Sequence, residues 1–280
     1  MGVRIIVDST VDVPAGIKNQ LLTVPLSIAF GDEIYVDGVT ISHKEFYEKL
    51  IECDVLPKTS QANPDAFMSV YDEITAADDE AVVLTVSAKL SGTCQSAMLA
   101  AQEYSNIHVV DTHSVAIGSG ILAELALYYR ARGMKAAEIA ARLTEDRKNI
   151  RIVALLDTLE YLKKGGRISS AVAFAGGLLA IKPVVGVTDG DINILGKARG
   201  SRQGNNLLVQ QIEIAGGVDF EKPVLLGYTG LSDHLLRKYV EESACLWQDS
   251  VEELPYTMIG STIGTHVGPG AIAVAFFCQG

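Results

Sequence analysis

Short apolar runs, many of them β-branched, alternate along the first half of the chain with segments whose apolar residues recur at helical spacing. VRIIVD (3–8), AVVLTV (81–86), IHVVDT (107–112) and IRIVALLD (150–157) each read as a buried strand. VPLSIAF (24–30) and DEIYVDG (32–38) read as two short extended pieces. Between these runs, Ser42 with Glu45 three positions on forms a capping box ahead of an apolar face made by Phe46, Leu50 and Ile51. Asn63 followed by Pro64 is a second helix start, a side-chain cap with proline in the first turn. TCQSAMLAAQEY, an Ala/Leu-rich stretch through Tyr129, and a segment from about Lys135 to Lys148 read as further helices. Strands alternating with helices at this spacing predict an α/β fold with a parallel sheet covered on both faces.

The pattern changes after LKKGGRISS. AVAFAGGLLAIKPVVGV (171–187) is apolar but broken by glycine, and GVTDGDINIL reads as a hairpin around Asp189-Gly190. A helix at 201–215, the strand PVLLGYT, the helix LSDHLLRKYVEES, extended ELPYTMIG and a final apolar run AIAVAFF follow. This half reads as α+β with more antiparallel pairing. A boundary near Gly165-Gly166 gives two domains, 1–165 and 166–280.

Charge and composition narrow the function. The net charge of −11 excludes the basic footprint that nucleic acid requires and disfavours docking on anionic lipid, leaving at most a transient contact with a membrane. Hydrophobic residues make up 48% of the chain, enough for a substantial core, yet no run is long enough to cross a bilayer. The start of the chain shows no signal-peptide pattern, so the cytoplasm is the expected compartment. Cys53, Cys94, Cys245 and Cys278 are too far apart for a zinc or CxxC site and read as small buried thiols. No metal or cofactor is implied.

GxSxG, HExxH, the P-loop and GxGxxG are all absent. Three clusters rich in glycine and hydroxyls stand out instead: KTSQANP (58–64), SAKLSGT (87–93) and GTHVGPGA (264–271). The second follows a strand and opens a helix, where free N–H groups favour an anion; Ser91 and Thr93 equally suit a plain helix cap. Thr59 and Ser60 suit turn hydroxyls bonding their own backbone. His266 suits a core histidine, a Ser-His catalytic pair or a ligand donor, while zinc lacks a second ligand at the usual spacing. The DST of Asp8 to Thr10 suits a cap or turn, and Arg167, after two glycines, a solvated loop.

Taken in order, VDSTVDVP, KTSQANP, LSGT, VVDTHS, LEYLKKGGRIS, KPVVGVTDG and GTHVGPGA resemble the DegV family over essentially the whole chain, and within it the fatty-acid-binding subunits of bacterial fatty acid kinases. The resemblance implies two α/β domains with an acyl chain in a buried tunnel between them. It implies a carboxylate held by Thr59, Ser60, Ser91, the Gly92 backbone and His266. It implies a separate kinase that phosphorylates that carboxylate for phospholipid synthesis, docking at Arg167 and at a second basic site formed by Lys197 and Arg199, with Arg202 as an alternative equivalent. One departure is that Ala62-Asn63 precede the proline where many members read TSQP, which leaves the path of that loop open.

The physics of such a ligand is consistent with these residues. A tail of about fifteen methylenes gains on the order of 12 kcal/mol on burial, before the cost of association. The carboxylate cannot follow into apolar protein unless donors meet it, and the glycine-broken stretch 171–187 suits a tunnel wall. The expected role is therefore a carrier without catalysis of its own. The competing readings are a Ser91/His266 acyl hydrolase, a phosphotransferase of related fold, or a module for another amphipathic ligand.

Overall fold

The computed structural model describes residues 2–168, 181–247 and 253–279. The first half contains β1 (Val3–Asp8), α1 (Ala15–Lys18), β2 (Leu21–Val24), β3 (Ser27–Phe30), β4 (Glu33–Val36), α2 (His43–Glu52) and β5 (Lys58–Ser60). It continues through α3 (Pro64–Ala76), β6 (Glu80–Thr85), α4 (Thr93–Ala100), β7 (Ile107–Asp111), α5 (Ala116–Ala131) and α6 (Ala136–Asp146). Four of these strands form a parallel sheet in the order β2-β1-β6-β7. Period-two alternation sorts its side chains between two cores. Ile6, Ala81 and Val83 pack with Phe67, Tyr71 and Ala97 of α3 and α4. Ile5, Val7, Val82 and Leu84 face α5 and α6 on the other side. The expected capping box at Ser42 and the Asn63 cap both form, with the Asn63 side chain accepting from Ala66 N at 2.9 Å.

The second half runs β8 (Ile150–Leu155), α7 (Glu160–Lys164), β9 (Ile181–Thr188), β10 (Asp191–Arg199), α8 (Gly200–Ile214), β11 (Leu225–Tyr228), α9 (His234–Glu242), β12 (Tyr256–Met258), α10 (Ser261–Val267) and β13 (Ile272–Phe277). Its sheet is mixed, in the order β10-β9-β8-β13-β11-β12, antiparallel except for β11 with β12. Asp189 and Gly190 take φ of 50° and 82° at the β9–β10 turn, the two positive values that a two-residue hairpin loop needs. Leu208, Ile212, Leu236 and Tyr239 of α8 and α9 cover one face of this sheet. The other face packs on α5, which is apolar around most of its circumference because it lies between the two sheets. At Gly120 of α5 a Cβ would collide with the carbonyl of Asp12, so the helix and the loop after β1 meet backbone to backbone.

Three features depart from the sequence expectation. The boundary at Gly165-Gly166 cuts the mixed sheet, because β8 precedes it and pairs with β9 and β13 beyond it. KTS is the edge strand β5 of a small antiparallel sheet, β4-β3-β5, packed against α2. The segment around His266 is the helix α10, to which the sequence pattern assigned no element. Of the tunnel wall expected at 171–187, residues 171–180 lie outside the described residues and the rest belong to β9.

Candidate functional site

In the parallel sheet the chain passes from β1 to β2 on one side, while β6 lies on the other. The loops leaving β1 and β6 therefore diverge, and a crevice opens at their carboxyl ends. Asp8, fully buried, ties the two loops together. One carboxylate oxygen accepts from Val86 N at 2.8 Å, and the other from Thr10 N at 2.8 Å and Thr10 Oγ1 at 2.5 Å. Burial raises its pKa above the usual carboxylate range, and these hydrogen bonds oppose the rise.

A cavity of about 370 Å³ occupies this crevice, within the range of small-molecule sites. Thr10, Leu26, Val86, Leu90 and Val115 line it from the first half, and Leu162, Ile192, Ile263 and Val267 from the second. Its polar lining includes Thr59, Gln61, Ser91, Arg167, Thr262 and His266. Thr59, Arg167 and His266 also line a groove of about 520 Å³ with the exposed residues Asp54, Val55, Lys58 and Lys164. These three side chains thus stand on the boundary between an inner, mostly apolar chamber and an outer groove bordered by the charged residues Asp54, Lys58 and Lys164.

Local structure fixes each of them. Strand alternation in β5 leaves Thr59 half-buried and Ser60 exposed, and both line the inner cavity. Thr59 Oγ1 lies 2.8 Å from Nε2 of His266, while Nδ1 of His266 has no partner among the described residues. Gly165 makes room for the imidazole, since a Cβ there would run into Nδ1. Burial, helped by the Arg167 guanidinium, pushes the His266 pKa down to about 4. The ring is neutral at neutral pH, and its Nε2 is committed to Thr59. Arg167 is partly buried, its Nε donating to Leu90 O at 3.2 Å and its Nη1 to Gly165 O at 2.6 Å. Among the described residues no carboxylate lies within ion-pair distance of it. A guanidinium held in a pocket mouth without a counter-charge is a ready anion partner.

Ser91 sits just ahead of α4, its Oγ accepting from Thr93 N at 3.3 Å and lying 2.9 Å from Thr93 Oγ1. It therefore caps the helix and faces the cavity at once. Gly92 is the N-cap of α4, and a Cβ there would meet Oε1 of Gln61, whose Nε2 donates to Ser96 Oγ at 3.0 Å. Gln61, beside the hydroxyls of Thr59 and Ser60 in the KTSQANP motif, also lines the cavity. The Ala62-Asn63 departure is absorbed without loss: Ala62 enters the core and Asn63 caps α3.

A Ser-His hydrolase is not assembled here. Ser91 bonds Thr93, His266 bonds Thr59, and among the described residues no carboxylate accepts from Nδ1 of His266. Among the described residues no group of three His, Cys, Asp or Glu side chains is arranged to hold a metal, and no helix is long and apolar enough to cross a membrane. Arg167, expected at a docking surface, lines both the cavity and the outer groove. Arg199 and Arg202 are exposed at the β10–α8 junction and line neither chamber, and Lys197 is exposed on the same strand.

Comparison with known proteins places this architecture. A family model described as "Uncharacterised protein, DegV family" matches residues 2–279. A DegV domain-containing protein of Caldanaerobacter subterraneus is 31% identical, over 98% of each chain. Among solved structures, a DegV family protein from Thermus thermophilus, described for its fatty acid binding, aligns with a TM-score of 0.88 and 31% identity over 100% of both chains. The Fak B3 protein of Streptococcus pneumoniae, a fatty acid kinase component loaded with linoleic acid, aligns over 100% of both chains with a TM-score of 0.86. At 20% identity that likeness is one of fold alone.

Proposed function

The chain belongs to the DegV family, and on that premise we propose that it binds one long-chain fatty acid and presents the carboxylate to a separate kinase. The tail occupies the inner chamber among Leu26, Val86, Leu90, Val115 and Ile263. The carboxylate stops at the boundary, where it accepts hydrogen bonds from the hydroxyls of Thr59 and Ser91 and meets the Arg167 guanidinium. His266, neutral, donates from Nε2 to Thr59 and so turns the Thr59 hydroxyl proton toward the ligand. The outer groove, bordered by Lys58 and Lys164, is where a phosphoryl donor would approach, and Arg199 and Arg202 stand on the surface as candidate contacts for the kinase.

The observation that carries this reading is a guanidinium with no carboxylate partner among the described residues, beside the Thr59–His266 pair and set between an apolar chamber and an outer groove. An amphiphile with an anionic head is the ligand class that satisfies both sides at once. The thermophilic relative described as fatty-acid-binding supports the same ligand class. Mass spectrometry of an organic extract of the folded, purified protein is the test. About one fatty acid per chain is expected; a lipid-free extract together with no uptake of added oleate or palmitate would overturn the reading.

A further inference from the structure

His266 stands in the last turn of α10, a helix of seven residues. So short a helix has little stability of its own, and its neighbours must set its place. Tyr47 OH donates to Ile259 O at 2.9 Å just before the helix, and at Gly264 a Cβ would come within 2.6 Å of that same hydroxyl, so α10 lies flat on α2. These contacts fix how closely α10 approaches. They do not fix its rotation, which decides where the imidazole points.

The rotation is fixed from a second direction. Asp37, whose side chain is 0% exposed, reaches α10 from the turn after β4. One of its carboxylate oxygens accepts three hydrogen bonds: from Thr262 Oγ1 at 2.6 Å, Thr262 N at 3.2 Å and Ser9 Oγ at 3.1 Å. Ser9 Oγ in turn accepts from Leu26 N at 3.0 Å, and Asp37 N donates to Leu26 O at 3.0 Å. Thr262 is four residues before His266, on the same face of α10, and both line the inner chamber, as does Leu26. Asp12 also touches this end, through Gly260 N at 2.8 Å, but holds only the backbone ahead of the helix. Asp37 alone of the two grips a side chain within the helix.

We propose that Asp37, which no sequence motif singled out, is a positioning residue of the head-group site: its buried carboxylate sets the rotation of α10 and thereby the place of the His266 imidazole against Thr59. The inference rests on the fatty-acid reading for its functional consequence and on geometry alone for its structural one.

The experiment compares Asp37→Ala, Asp37→Asn and Leu208→Ala with the parent protein. Leu208 belongs to the core on the far face of the mixed sheet and serves as a control for general destabilisation. The first readout is the pair of ring ¹⁵N resonances of His266 in ligand-free protein, assigned by their loss in His266→Gln. Asp37→Ala is expected to shift them. Asp37→Asn, whose amide oxygen can accept the same three bonds, is expected to restore them, and Leu208→Ala to leave them in place. The second readout is oleate affinity, expected to fall about tenfold in Asp37→Ala but not in Leu208→Ala.

Parental His266 resonances in Asp37→Ala, equal shifts in Leu208→Ala, or an Asp37→Asn protein indistinguishable from Asp37→Ala would each overturn the proposal. If Asp37→Ala does not fold, Ser9→Ala, which removes one of the three donors, carries the same comparison with a smaller shift. If the parent protein binds no oleate, the fatty-acid reading fails, while the ring resonances still decide whether Asp37 positions His266.

Discussion

The inner chamber and the outer groove share Thr59, Arg167 and His266 and differ in almost everything else. The inner walls come from the strand ends and loops of both sheets and are largely aliphatic. The outer walls are the stretch from Asp54 to Lys58, exposed at Asp54, Val55 and Lys58, and the end of α7. On the fatty-acid reading proposed above, the contrast lets one ligand be both buried and available. Affinity would then be drawn from the inner side, where each methylene adds to it. Orientation and reactivity would be set at the boundary by a few donors. Substitutions on the two sides should therefore fail in different ways.

The largest effect should come from the tail. Palmitate carries eight more methylenes than octanoate, and at about 0.8 kcal/mol each the difference is roughly 6 kcal/mol, or about four decades in affinity. Competition of the two acids against a fluorescent fatty acid measures it. Equal affinities would mean that the chamber does not hold the tail.

The next effect lies at the boundary and depends on pH. His266 has its pKa pushed from an ordinary 6.5 to about 4 by burial. Between those values the unfolded chain binds a proton that the folded one refuses, so stability is lost as pH falls from 6.5 toward 4, by up to about 3 kcal/mol. Asp8 and Asp12, whose pKa values burial raises, contribute with the opposite slope, because their folded forms hold protons that the unfolded chain releases. The difference between parent and His266→Gln in urea unfolding isolates the histidine. His266→Gln is expected to flatten the acid side of the profile, and a superimposable pair of profiles would show that the ring is not protected from protonation.

Removing the guanidinium comes third. Arg167→Ala should weaken oleate binding about ten- to a hundredfold, the roughly 1.5–3 kcal/mol of a lost charged hydrogen bond, with Arg167→Lys recovering part of it. Titration calorimetry checks this. Unchanged affinity would return Arg167 to the docking role that its sequence context suggested. The smallest effect is expected far from the boundary: Arg199→Ala and Arg202→Ala should leave oleate affinity unaltered and stability within about 0.5 kcal/mol. Any loss they cause should appear only in acyl-phosphate formation with a kinase and ATP.

The same contrast explains what the sequence made legible. The strands of the parallel sheet carry their own signal, because full burial forces apolar runs such as AVVLTV and their caps are local side chains such as Ser42 and Asn63. The hairpin at Asp189-Gly190 is legible for the same reason. The residues at the boundary come from motifs that stand out in the sequence, but their arrangement was not readable. β5 is three residues long and exists only through pairing with β3. The helix α10 contains a glycine and is held by Asp12, Asp37 and Tyr47, each more than 200 residues away in sequence. Arg167 follows Gly166, whose φ of 70° bends the chain past the end of α7 and brings the guanidinium to Leu90 O, which no local pattern encodes. Ser60 shares a motif with Thr59, and only the strand shows that one is exposed and the other half-buried.

The central claim is that the carboxylate sits at the boundary and the tail in the inner chamber. Oleate labelled with ¹³C at the carboxyl carbon in one sample and at the terminal methyl in another tests this by NMR, in the parent protein and in Arg167→Lys. The account predicts that Arg167→Lys moves the carboxyl resonance and leaves the methyl resonance in place. A methyl resonance that moves while the carboxyl does not would reverse the ligand in the cavity and contradict the account.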